Sequence, residues 1–277
     1  MNFCISNFGL NSIVDRKQEM VWALVLVCNL NHINRAIDTI IQARVTGDWH
    51  DDIVLVVPQD VYDKAQVREV GLKLGIEFLV LPEENTTTLM NFWDARKEHP
   101  NYEYVSQRKF QYQKFYIMHT FFRRWTNILY IDSGVKIHGP LQRLINQCKE
   151  SNVLYAHSDS YPQYEWKLER QFCVDMDAEL HKELKEMYDL TTNYFQSTIM
   201  MYHTSIIQDD TVNRLFELRD KFPFSFRNDQ GIFNLHFLCE RKIWRQLPIA
   251  DERGYLYDYH NRLPIPKEKY LLLKAYH

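Results

Sequence analysis

Asn127-Ile-Leu-Tyr-Ile-Asp132-Ser-Gly-Val-Lys-Ile-His-Gly139-Pro-Leu141 is the stretch that decides how this chain folds. A short apolar run ends in an aspartate, a Ser-Gly step follows, and a second short run closes at Gly-Pro. Apolar runs of this length, bounded by turn formers, read as buried strands. A carboxylate placed where such a strand leaves the sheet sits at the carboxyl edge, where open α/β sheets bind their ligands.

Working upstream, Val21–Cys28, Ile53–Val57 and Ile76–Leu81 read as three further strands, the second and third each stopped by a proline. Between them Ile33, Ala36, Ile37, Ile40 and Ile41 recur at helical spacing. A second helix is predicted from about Val61, with Asp60 as its N-cap and Gly75 as its stop. Strands separated by helices of this length imply right-handed crossovers and a largely parallel sheet. A helix over 109–125 would carry Phe110, Ile117, Met118, Phe121 and Trp125 on one face, with Lys114 among them. A lysine so placed must snorkel outward or meet an anion, such as Asp132 or a phosphate.

Downstream of Gly139-Pro140, a helix to about Lys149 leads into the strand Val153–Ala156. Residues 157–190 are charged, aromatic and irregular, with helical period only over 179–187, and read as a substrate-side insertion. The strand Phe195–Tyr202, a helix over 211–221, a helical run opening at Asn228-Asp-Gln-Gly231 and closing strands over 243–247 and 270–277 complete the pattern.

The net charge of −3 gives no basic footprint for a nucleic-acid partner. Five scattered cysteines without Cys-x-x-Cys spacing indicate neither a disulfide framework nor a zinc knuckle. Residues 1–20 lack a long apolar core and carry Asp15, Arg16, Lys17 and Glu19, so they read as an extension rather than a signal peptide. No apolar run approaches the roughly 20 residues of a membrane span, and a cytoplasmic location is expected. No Gly-x-Gly-x-x-Gly follows the first strand and no Walker loop occurs, which disfavours NAD and ATP chemistry.

Four short motifs, in order, resemble the GT-A fold nucleotide-sugar glycosyltransferases, most closely the glycogenin-like group called glycosyltransferase family 8. Ala23–Asn29 is similar to that family's first strand, and Ile128–Asp132 followed by Gly139-Pro-Leu141 to its metal-motif strand. Phe195-Gln-Ser197 then Met201-Tyr202 resembles its Phe-Asn-Ser strand, and Asn228-Asp-Gln-Gly231 its Asp-Gln-Gly segment. The resemblance implies an α/β GT-A domain over 1–277, with a mixed, mostly parallel sheet flanked by helices. It implies transfer of a sugar from a UDP-sugar to a hydroxyl of a glycan, protein or small molecule, with retained configuration. Val27, Cys28 and Asn29 would border the base. Asp132 would hold a divalent ion, manganese by expectation, or ribose hydroxyls, with Lys114 in electrostatic support, and Ser133 and Gly134 would contact the donor beside it. Asp229, Gln230 and Gln196 would hold the donor sugar, and His277 would complete the metal shell. A second copy of the chain is a further expected partner.

The chain departs from the pattern at Gly134, where the family has the second carboxylate of Asp-x-Asp, and at Gln196, where it has asparagine. With one ligand gone, another residue substitutes, the metal binds weakly, or no metal is used. Asp229 also suits an N-cap, and Asp229 or Asp159 would be the base of an inverting enzyme. His138 and His157 lie near strand ends as further candidates. A nucleotidyltransferase would need a glycine-rich basic loop after the first strand, and 29–35 holds no glycine. A catalytically silent sugar-binding protein that lost its metal at Gly134 is the other alternative.

Overall fold

The apolar runs become strands because both of their faces are covered. The structure, a computed structural model, describes residues 21–147, 149–161, 163–259 and 264–274. The strands are β1 (Trp22–Val27), β2 (Asp52–Pro58), β3 (Ile76–Leu81), β4 (Asn127–Ile131), β5 (Val135–Ile137) and β6 (Leu154–Ser158). They continue with β7 (Phe195–His203), β8 (Trp244–Gln246), β9 (Ala250–Asp251), β10 (Gly254–Tyr259) and β11 (Tyr270–Lys274). Seven form one sheet in the order β3-β2-β1-β4-β7-β6-β8, with only the β4–β7 and β7–β6 pairings antiparallel. Four form a smaller sheet in the order β5-β11-β10-β9.

Alternate residues of β1 enter two cores, Ala23 and Val25 on one face, Trp22, Leu24 and Leu26 on the other. Burial on both faces explains why these strands read as continuous apolar runs. The first face is covered by segments of the middle and carboxyl half, among them Phe115, Leu215 and Phe233. The second is covered by helix α1 (Ile33–Val45) and by residues of the small sheet such as Leu256 and Leu272. The chain runs outward from β1 through β2 to β3 and returns to lay β4 on β1's other side. That reversal leaves a crevice at the carboxyl ends of β1 and β4, the usual ligand position in such sheets.

Local departures from the expected elements have identifiable causes. The predicted second helix is two, α2 (Gln59–Tyr62) and α3 (Ala65–Leu74), and Asp60 lies in the first turn of α2 rather than capping it. Gly75 ends α3 in the left-handed conformation, as expected. The single helix over 109–125 is replaced by 3-10 segments Lys109–Met118 and Thr120–Arg124, separated by extended His119. The His119 side chain accepts a hydrogen bond from Phe121 N, giving the backbone a turn in place of a continuous ladder. The helix after Gly139-Pro140 is a single turn, Gln142–Ile145. Within 157–190, Leu168, Phe172, Cys173 and Leu184 are buried in the first core. Residues 1–20 and His277 lie outside the described residues.

Candidate functional site

The carboxyl end of β4 delivers Asp132, and the antiparallel β7 brings its amino end to the same edge. Asp132 N donates to Thr198 O at 2.8 Å, which places Ser197 beside it. Asp132-Ser-Gly-Val135 closes as a tight turn, with Val135 N donating to Asp132 O at 3.2 Å and Gly134 at φ +88°. A turn with that φ at its third position favours glycine, so Gly134 has a backbone reason to be there.

Asp229 and Gln230 arrive from the other side. Asn228 has a left-handed backbone (φ +48°) although fully buried, a strained geometry that recurs at functional sites. Its Nδ2 donates to Arg108 O at 2.7 Å, and Ser225 Oγ donates to its carbonyl at 2.7 Å. The helix Asp229–Phe233 then starts with Gly231 against Ser225, where a Cβ would stand 2.5 Å from the hydroxyl oxygen. Asp229 lies in the first turn and Asn228 holds the N-cap position.

Lys114 joins the two halves. Its ammonium lies 3.0 Å from Asp132 Oδ1 and 3.0 Å from Asp229 Oδ2, and donates to Ser197 Oγ at 3.2 Å. Ser197 Oγ in turn donates to Asp229 Oδ2 at 2.5 Å. Asp132 Oδ1 also accepts from the Tyr130 hydroxyl at 2.5 Å. Lys274, at the end of β11, lies 3.5 Å from Asp132 Oδ2 and donates to Ser133 O at 3.2 Å. Burial works to raise the Asp132 carboxyl, but Lys114 and then Lys274 overcome it and hold the group below its usual range. Burial prevails at Asp229, whose carboxyl is raised despite Lys114 and Ser197. Burial opposes the charge on Lys114, yet Asp132 and Asp229 together raise its pKa. One ammonium serves two carboxylates, and only Asp132 has a second.

These groups floor a cavity of about 410 Å³, with a smaller annex of about 110 Å³ running toward Val27 and Ser133. Five cations (Arg35, Arg108, Lys114, Arg227, Lys274) face two carboxylates (Asp132, Asp229) across the main cavity. Phe110 stacks on His32 with centroids 5.0 Å apart, and Asn29 Oδ1 fixes the His32 ring at 2.7 Å. Burial, Arg35 and Lys274 lower the His32 pKa. At the mouth Arg108 lies over the Tyr104 ring at 3.8 Å. A pocket with this excess of positive charge suits a polyanion.

Of the residues expected from the sequence, Val27, Lys114, Asp132, Ser133, Asp229 and Gln230 line this space. Gln230 is clamped, its amide donating to Gln171 at 2.9 Å and its Oε1 accepting from Ser197 N at 3.2 Å. Cys28 is a correction: strand alternation turns it into the second core, 1% exposed, where burial pushes its thiol up to about 12. Gln196 is another, for the same reason. Ser197 faces the pocket, whereas Gln196 points the other way and accepts from the Tyr257 hydroxyl at 2.9 Å. Asn29 acts through His32 rather than as a lining residue. His157 is buried near Gln196, and His138 binds Tyr270 O at 3.1 Å in the small sheet. Sequence reasoning missed His32, Arg35, Arg108, Phe110, Arg227 and Lys274; a cation at the end of the last strand was the one signal available.

The donor set at this edge is a poor one for a divalent ion. Among the described residues no three His, Cys, Asp or Glu side chains converge. Both oxygens of Asp132 already face ammonium groups, and glycine holds the second carboxylate's place. The described residues do not fit the ion.

No helix among the described residues is long and apolar enough to cross a membrane. No family model matches the chain, and none of the curated proteins does. Solved structures do. The chain is similar to the WbbM bifunctional glycosyltransferase in its apo form, at TM-score 0.58 and 15% identity, over 95% of this chain and 46% of that one. It therefore spans less than half of WbbM. It is similar to the galactosyltransferase LgtC in complex with donor and acceptor sugar analogues, at TM-score 0.55 and 14% identity, over 85% of this chain and 75% of that one. A third likeness is to core-mannan synthase A of Aspergillus fumigatus in its Mn/GDP form, at TM-score 0.50 and 10% identity, over 84% and 74%. The mixed seven-stranded sheet, its switch point between β1 and β4 and these likenesses together show that the chain has the GT-A glycosyltransferase fold.

Proposed function

We propose that this chain is a glycosyltransferase that takes a sugar from a nucleoside-diphosphate donor, read as a UDP-sugar, and places it on an acceptor hydroxyl. The observation that carries the reading is Lys114, held 3.0 Å from both Asp132 and Asp229 on the floor of a cationic cavity. Its position at the switch point of a GT-A sheet supports it further. LgtC in complex with donor and acceptor sugar analogues, and core-mannan synthase A in its Mn/GDP form, support the reading of a sugar carried on a nucleoside diphosphate. The Mn/GDP form speaks for a divalent ion in that protein, whereas the donor set described above speaks for side-chain cations here.

In this reading the diphosphate lies against the cations and the base extends over Val27 toward Phe110 and His32. Asp229 and Gln230 accept and donate hydrogen bonds to the sugar hydroxyls and fix the anomeric carbon. The bond from that carbon to the diphosphate oxygen breaks, the acceptor oxygen bonds to the carbon, and the acceptor proton leaves on the released diphosphate. The charge growing on the departing oxygen is what the fixed cations stabilise. Retention suits the site, because Asp229 is engaged by Lys114 and Ser197, and Asp159 accepts from Tyr194 at 2.8 Å. Neither is poised as a base for inversion. The acceptor enters past Tyr104, Arg108 and Arg227.

The test is release of nucleoside diphosphate from a panel of UDP-, GDP- and CMP-sugars by the purified chain, with Lys114→Met as the control. Turnover of a UDP-sugar that disappears in Lys114→Met supports the reading. Turnover of a GDP-sugar alone corrects the base. Nucleotide binding with no turnover on any donor would favour a binding protein that has kept only the fold.

A further inference from the structure

We propose that Lys274, with Arg35 beside it and Lys114 beneath, brings to the donor's diphosphate the positive charge that a divalent ion would otherwise supply, so that the donor binds without metal. This rests on the nucleotide-sugar reading above and assigns its charge chemistry to side chains.

The first ground is what already occupies a metal's place. Lys114 and Lys274 flank the two oxygens of Asp132, and Tyr130 shares Oδ1 with Lys114. An ion bound there would have to displace Lys274. Next to Asp132 the second carboxylate is missing, and an arginine stem takes the adjoining space. A Cβ added at Gly134 would stand 3.6 Å from Arg35 Cδ.

The second ground is how the fold delivers Lys274. It is the last residue of β11, and β11 pairs antiparallel with β5, with Lys274 opposite Val135. Val135 closes the Asp132 turn, so this register sets a lysine over the carboxyl edge of the other sheet. Its donation to Ser133 O ties it to the turn, and it lines both compartments of the cavity.

The third ground is charge. Lys114 and Lys274 balance Asp132 and Asp229. Arg35, Arg108 and Arg227 remain, and none has a carboxylate within ion-pair distance among the described residues. Lys274, 3.5 Å from Asp132 where Lys114 is 3.0 Å away, also lines the cavity, so an anion there can share it. Ammonium and guanidinium groups converging on one cavity bind phosphate oxygens through charge-assisted hydrogen bonds.

Calorimetric titration of UDP, GDP and the parent nucleosides tests this, each with manganese and with EDTA, on the wild type, Lys274→Gln and Lys274→Arg. Diphosphate affinity is expected to agree within about twofold in the two media. Lys274→Gln is expected to weaken the diphosphate about tenfold or more while leaving nucleoside affinity alone, and Lys274→Arg to retain most of it. Equal Tm values without ligand would show that the loss is not one of folding. Affinity that rises more than about tenfold with manganese overturns the proposal, as does Lys274→Gln binding like wild type. Absence of diphosphate binding in either medium overturns the donor reading itself, a result distinct from both.

Discussion

Two buried cations in this chain look alike and do different work. Arg219, 2% exposed, reaches Glu84 and Asp220, donates to Asn85 O at 3.1 Å, and lies over the Phe216 ring at 4.7 Å. Lys114, 8% exposed, likewise reaches two carboxylates and lies over the Tyr130 ring at 5.4 Å. Arg219 is enclosed: carboxylates, a carbonyl and aromatic faces take up its guanidinium. Lys114 opens on a cavity whose walls carry excess positive charge. A buried charge with all its partners supplied by the chain belongs to the architecture. One whose surroundings are incomplete toward solvent belongs to a site.

The strongest way to break this contrast is Arg219→Met. Glu84 loses its partner in a buried setting, and a cost of about 3 kcal/mol is expected, as for other broken buried pairs. In a chain of this size that is a fall of roughly 6–12 °C in Tm, with nucleotide affinity of the folded protein unchanged. Calorimetry and titration on the same preparation decide it; a large affinity loss would erase the distinction.

Lys114→Met is the converse. Transfer should fall about 100- to 1,000-fold, the usual cost of removing one preorganised electrostatic group. Its Tm should fall less than that of Arg219→Met, because Asp132 keeps Lys274 and Asp229 can take a proton from the cavity. Turnover and Tm measured side by side check both halves.

Asp229→Asn separates function from stability within the site. The folded carboxyl is raised by burial, so its ionisation opposes folding: its contribution is fully present below the unfolded value of 3.8 and is lost as pH rises through the higher folded value. The amide removes that penalty. At neutral pH its Tm should equal or exceed wild type by a few degrees, while transfer drops about tenfold or more. A clear loss of stability would mean that Asp229 serves the fold.

The smallest effect belongs to an intermediate case. Glu240 accepts from Tyr188 at 2.7 Å and from His236 at 2.8 Å, and pairs with Arg214. Burial alone would raise its carboxyl, but His236, Arg214 and Tyr188 bring it down to about 2 from 4.5. Its folded value lies below the unfolded one, so its stabilisation is present above about pH 4.5 and lost as pH falls toward 2. The network is partly open to water at Arg214, so about 1 kcal/mol is expected after screening. Glu240→Gln should therefore flatten the Tm profile between about pH 5 and 2 by a few degrees relative to wild type.

Much of this contrast could be anticipated at Lys114 and not at Lys274. A lysine among Phe110, Ile117 and Met118 stands out because an unpaired buried charge is costly, so it had either to snorkel outward or to meet an anion, and the structure shows the second. Lys114 stays buried although the segment is two 3-10 pieces instead of one helix. Asp132 was equally legible, since a carboxylate ending an apolar run can only sit at the sheet edge. Lys274 follows three leucines at the end of a closing strand, and Arg35, Arg108 and Arg227 lie in stretches of mixed character, so nothing in the surrounding sequence says that the four meet. Gln196 and Ser197 show a different limit. With both faces of β7 buried, the sequence has no polar alternation to tell which residue faces the site.

Local pattern by itself determined the strands, their alternation with helices, the carboxylate at the edge and a lysine that had to snorkel or find an anion. Those features follow from burial and backbone geometry within a few residues. Only the tertiary structure decided which cations converge, which face of β7 looks into the cavity, and that β11 sets Lys274 over Asp132 from a second sheet. Electrostatic partnership depends on distance in space, and these residues are separated by up to 239 positions along the chain, from Arg35 to Lys274.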